Sequence, residues 1–159
     1  MLGFGLDNLP YLILVVLPVG IMAVTIHEVS HGYIAWKLGD PTAHYAGRLT
    51  LNPIAHIDPI GALMLIFVGF GWAKPVPVNP GYFKNPRRGM MWVALAGPVS
   101  NILFAVVFAL VLKAVFAFSS EYTAALFPLL RFGIVINVVL AAFNMIPIPP
   151  LDGSRVLAN

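Results

Sequence analysis

The chain has 159 residues, 60% hydrophobic and 9% charged, with a mean hydropathy of +0.91 and a formal net charge of +3. A soluble domain is about 45–50% apolar and about 25% charged, so a soluble core of this size has no room for the excess, and a multi-spanning membrane protein is the first reading. Cysteine is absent, which excludes disulfides, thiolate metal ligands and a cysteine nucleophile. The basic residues gather in loops, and nothing in their placement points to nucleic acid.

The first apolar run, residues 9–38, is long enough to cross a hydrocarbon core about 30 Å thick. It lacks a basic n-region, and the polar motif near its end would be wasted in a cleaved leader, so a retained span is expected. "AGRLTLNP" from residue 46 alternates polar and apolar residues, and "AKPVPVNP" from residue 73 does so through prolines. That pattern suits edge strands and predicts a small β-hairpin or sheet at the membrane surface. Between them, "IGALMLIFVGFGW" at 60–72 is short for a span and reads as re-entrant or interfacial. Two further spans follow at 91–118 and 126–147. Fourteen prolines and fourteen glycines fit broken helices and re-entrant loops. With no repeat and no linker, residues 1–159 form one domain. The expected fold is an all-α polytopic membrane protein: a three-helix core, a short re-entrant or interfacial segment and the small surface sheet.

Lys37, Arg48, Lys74, Lys84, Arg87 and Arg88 all lie between the first and third spans, whereas the N-terminal tail and the 119–125 turn carry only Asp7 and Glu121. The positive-inside rule therefore places the 37–90 region in the cytoplasm of a cell (inner) membrane protein, with the N-terminus outside and the 60–72 stretch not crossing.

In "HEVSH", His27 and His31 are four residues apart, about 6 Å along a helix and on one face. Both imidazoles can then reach one Zn²⁺, while Glu28 between them approaches a water at the metal's open position. The bland reading, a polar interhelical network, is weak, because an acidic residue at mid-span costs about 2.5–3.5 kcal/mol. A catalytic zinc needs a third protein ligand, and the candidates are Asp7, Asp40, Asp58, Glu121, Asp152, His44 and His56. Asp7 and Glu121 fall on the wrong side of the predicted topology. Asp152 is the most attractive, since its "NMIPIPPLDG" segment lies at the cytoplasmic end of the last span, where prolines forbid regular helix and the unwound backbone must line a cavity. Asp58, before Pro59, reads mainly as a turn residue.

The ordered set "HEVSH", "AGPVSN" and "NMIPIPPLDG", on three successive spans, resembles the site-2 protease family of intramembrane zinc metalloproteases, in its short bacterial and archaeal branch. "GRLTLNPIAHIDPIG" and "GWAKPVPVNP" also look like that branch. The resemblance implies His27, His31 and Asp152 as zinc ligands, Glu28 as catalytic base and Asn144 as a residue near the oxyanion or substrate backbone. It also implies hydrolysis of single-span membrane substrates in or near the bilayer. The chain departs from larger members in lacking an inserted PDZ domain. It stops at "SRVLAN", just after the aspartate, where family members continue, so a C-terminal truncation is the expectation.

Gly97 and Asn101 of "AGPVSN" share a helix face. Close helix packing explains Gly97 as well as a site role does. Asn101 needs an amide partner in lipid, and with His56 it is a candidate for substrate binding. An edge strand from 46–51 or 73–79 would hold an unwound substrate by strand addition. The rival function is a zinc-binding membrane protein or transporter without protease activity, but a transporter needs a polar path through the membrane. Here the polar residues gather toward one side.

Overall fold

Pro18 cannot donate to the carbonyl four residues before it, and the helix widens just upstream. Leu12–Val16 forms a π-helical turn in which Leu17 N–H reaches Leu12 O, and a regular α-helix, α1 (Leu17–Lys37), continues from there. Its end is fixed by Gly39, whose φ of +105° suits a residue without Cβ. Asp40 N–H returns to Ala35 O at 2.9 Å and Gly39 N–H to Trp36 O at 3.0 Å, the paired bonds of a Schellman cap. A short helix, α2 (Thr42–Tyr45), stops the same way at Gly47, φ +65°, with Arg48 N–H on Ala43 O and Gly47 N–H on His44 O.

The computed structural model describes residues 9–68, 71–118 and 123–157; Asp7 and Glu121 lie outside the described residues. The α-helices that follow are α3 (Pro59–Val68), α4 (Pro86–Phe118), α5 (Thr123–Asn144) and α6 (Asp152–Leu157). Among the described residues, three helical stretches are long and apolar enough to cross a membrane: Leu12–Lys37, Pro86–Phe118 and Thr123–Asn144. They coincide with the three spans expected from hydropathy, and the chain is a multi-pass membrane protein. The central helix is α4, which packs against α1, α5 and α6. Large apolar side chains such as Leu103, Leu110 and Phe116 remain exposed on α4, as expected where lipid rather than protein covers them.

The surface sheet is not formed. Among the described residues there are no strands, only an isolated antiparallel bridge between Ile57 and Ala73. Proline accounts for one edge, because Pro75 and Pro77 remove its ladder donors. Three of the remaining N–H groups have partners of their own: Lys74 N–H donates to His56 O at 2.9 Å, Val76 N–H to Glu28 Oε2 at 2.9 Å and Asn79 N–H to Asp40 Oδ2 at 2.7 Å. Segment 73–79 is extended, but it is pinned by side chains of α1 and its cap.

The two flanks of α3 lie together. Asp58 Oδ1 accepts Gly61 N–H at 2.8 Å, closing the turn into the helix, and the returning chain lies so close that a Cβ on Gly61 would sit 2.1 Å from Trp72 O. The Ile57–Ala73 bridge joins the two flanks.

Candidate metal centre

His27 and His31 are buried on α1, while Glu28 between them is half-buried. Their ligand atoms and the Glu28 carboxylate lie within 4.8 Å of one another. The α4 helix backs both rings. His27 Nδ1 lies 2.6 Å from Asn101 Oδ1 and His31 Nδ1 lies 2.7 Å from Val93 O. Both partners are acceptors, so each ring carries its proton on Nδ1 and presents a bare Nε2. Gly97, one helical turn from each of these contacts, makes the approach possible: a Cβ there would lie 2.5 Å from His27 Nε2 and 2.6 Å from His31 Cε1.

The third group arrives from α6. Asp152 opens that helix, and Gly153 lets the turn pack on the end of α5, where a Cβ would meet Met145 O at 2.2 Å. Asp152 Oδ2 then lies 3.1 Å from His27 Nε2 and 3.3 Å from His31 Nε2, and the two Nε2 atoms are 3.0 Å apart. Oδ2 is buried and accepts no hydrogen bond. Three lone-pair-bearing atoms thus converge with no proton among them, which is unfavourable unless a cation lies between them. Tetrahedral zinc with bonds of about 2.0–2.1 Å sets its ligand atoms about 3.3–3.4 Å apart, so the triangle fits zinc with slight expansion.

The other candidates lie elsewhere. His56, buried, donates from Nε2 to Thr50 O at 2.9 Å and faces Arg48 at 3.4 Å, while Arg48 donates to Lys74 O at 2.6 Å. This trio braces the loops beneath α3. His44 stacks on Trp36 with ring centroids 5.7 Å apart. Asp40, fully buried, accepts from Asn79 N–H and from the backbone and hydroxyl of Thr42. Asn144 donates from Nδ2 to Leu140 O at 3.0 Å, and no hydrogen bond joins it to the histidines among the described residues. Asn101 is fully buried and turns its amide to protein partners, which places it behind His27.

Two features were not read from the sequence. Asn137, 1% exposed, donates to Gly133 O and accepts from Asn101; its signal was a polar amide inside "GIVINVVLAAF". Val76 N–H holds Glu28, and a backbone donor carries no sequence signal.

The profile of peptidase family M50 matches residues 113–159. The chain is 43% identical to "Putative zinc metalloprotease YwhC" of Bacillus subtilis, over 99% of this chain and 72% of that protein. The chain belongs to peptidase family M50. Its class is that of a zinc metalloprotease, with Zn²⁺ as cofactor. Within the family it is 30% identical to "Putative zinc metalloprotease Rip2" of Mycolicibacterium smegmatis, over 86% of this chain and 53% of that protein. It is 32% identical to "Putative zinc metalloprotease MJ0611" of Methanocaldococcus jannaschii, over 82% of this chain and 62% of that protein. The chain therefore spans between about half and three quarters of these M50 relatives. No solved structure matches it significantly.

Proposed function

We propose that residues 1–159 act as a single membrane-embedded domain that hydrolyses peptide bonds of single-span membrane proteins within or near the bilayer. In this reading His27, His31 and Asp152 hold the zinc and Glu28 is the general base. The observation that carries it is the convergence of two bare Nε2 atoms and one unpartnered carboxylate oxygen at 3.0–3.3 Å, with a second carboxylate alongside. The 37–90 region faces the cytoplasm, and the site opens toward that side.

When bound, zinc supplies Lewis acidity to the scissile carbonyl and lowers the pKa of water. Asn101 and Val93 keep the two imidazoles turned to the metal, as outer hydrogen bonds to ligating histidines do. Glu28, oriented through Oε2 by Val76 N–H, takes the proton from the attacking water and passes it to the leaving amine. The products are a carboxylate and an amine, so the atoms of one water are consumed. Asn144, at the end of α5, supplies an amide donor to the oxyanion or substrate backbone by giving up its bond to Leu140 O.

Glu28→Gln tests the reading. The amide keeps the side chain's size but cannot accept the proton. Zinc content should be unchanged, while cleavage of a single-span substrate in detergent should fall at least about a hundredfold. Unchanged cleavage would remove Glu28 from the reaction. Metal flux through reconstituted Glu28→Gln protein, with no cleavage by the wild type, would favour a transporter.

A further inference from the structure

Behind His27 runs a one-way chain of hydrogen bonds through three helices. Asn137 of α5 donates from Nδ2 to Gly133 O at 2.8 Å. A backbone carbonyl can only accept, so this contact fixes which end of the Asn137 amide is oxygen and aims Oδ1 at α4. Asn101 Nδ2 donates to that oxygen at 2.8 Å and to Ala23 O of α1 at 3.2 Å. Both Asn101 donors are thereby committed, and Asn101 Oδ1 must face His27 Nδ1, 2.6 Å away. Both asparagines are at most 1% exposed, so water cannot substitute for any link.

We propose that Asn137 is a positioning residue for the metal centre, acting through Asn101 to lock His27 in its Nδ1–H tautomer with Nε2 free for zinc. A neutral imidazole has one N–H. With an oxygen at Nδ1 the ring keeps its proton there; with an Asn101 amide flipped to present nitrogen, the proton would move to Nε2 and block the ligand atom. Ala23 O also accepts from Asn101 Nδ2, but at 3.2 Å, whereas Asn137 Oδ1 accepts at 2.8 Å and is the closer of the two contacts that hold the amide's sense. Asn137 adds this shorter acceptor with a sense of its own, because its amide is tied to Gly133 O. Bonds aligned in one direction also strengthen one another. The inference rests on His27 being a zinc ligand and adds what makes it one.

The plain alternative is a polar pair that only holds helices together, as amides do in membrane bundles. Stability alone would not separate the two readings, so the experiment reads the tautomer and the metal separately. Detergent-solubilised full chain with ¹⁵N-labelled histidine is compared without metal, as wild type and as Asn137→Leu, by two-bond ¹⁵N–¹H correlation. Wild-type His27 should show the Nδ1–H pattern, and Asn137→Leu a mixture or the Nε2–H form. Zinc affinity by chelator competition should fall about 10–100-fold in Asn137→Leu, the range for losing an outer partner of a ligating histidine. Asn137→Asp, which keeps an oxygen for Asn101 Nδ2, should recover most of that affinity. An Nε2–H wild-type His27 would overturn the proposal even if Asn137→Leu fails to fold. So would an Asn137→Leu protein with wild-type tautomer and wild-type zinc affinity. Failure of wild type to bind zinc at all would instead strike the metal centre proposed above.

Discussion

Gly97→Ala is the most direct probe of how the metal centre is built. A Cβ at residue 97 would lie 2.5 Å from His27 Cε1, 2.5 Å from His27 Nε2 and 2.6 Å from His31 Cε1. Ordinary contact between such atoms begins at about 3.5 Å, so α4 and the two rings must separate by roughly 1 Å. Functional groups tolerate about 0.5 Å of misplacement, and a displacement of about 1 Å can cost about a hundredfold in rate. The same overpacking costs about 1–3 kcal/mol of stability. A matched control lies on the same helix: Gly89→Ala would place its Cβ 2.3 Å from the Phe83 ring, straining that contact rather than the two imidazoles. Zinc affinity by chelator competition, substrate cleavage and thermal unfolding should be measured for both. Both variants should lose stability, and Gly97→Ala alone should lose zinc affinity and turnover by about two orders of magnitude. Comparable melting shifts with wild-type zinc affinity in Gly97→Ala would show that this glycine serves helix packing only, and would refute the crowding drawn from the ring distances.

Asp152→Ala should abolish stoichiometric zinc binding, because a catalytic site keeps three protein ligands; full retention, measured by metal analysis, would rule Asp152 out as the third ligand. A cysteine introduced at Asn85 should react with an impermeant thiol reagent only from the cytoplasmic face, since the basic segment stays inside, and labelling from the other face would invert the topology. Asp40→Ala should lower stability by on the order of 3 kcal/mol, because Asn79 N–H and Thr42 N–H lose a charged acceptor; denaturation of the metal-free protein in detergent would read it.

The helices were legible because lipid imposes a simple demand, a long apolar stretch with its backbone bonded internally. The motif on α1 was legible because a four-residue spacing fixes two side chains on one face whatever surrounds them. Asp152 was reachable by a weaker route, through prolines that unwind the chain after the last span. The partners of the histidines were harder. Val93 contributes a carbonyl, Gly97 an absence of side chain, and Asn137 an amide inside an otherwise apolar helix; each acquires meaning only when α4 and α5 are docked on α1.

The surface sheet failed for a reason that bears on the chemistry. Alternation in "AKPVPVNP" is real, and segment 73–79 is extended, but Pro75 and Pro77 leave one of its edges few donors to share with a neighbouring strand. Those donors go instead to carboxylates, Val76 N–H to Glu28 and Asn79 N–H to Asp40. Asp40 is also the residue after the Gly39 cap, so the end of α1 and the end of the extended segment are fixed by one buried side chain. From that anchor, Val76 falls opposite Glu28, and the proposed base meets a backbone donor on a segment tied to its own helix. A ladder would have spent that N–H on another strand. With no ladder on that edge, Val76 N–H orients Glu28 beside the proposed zinc ligands.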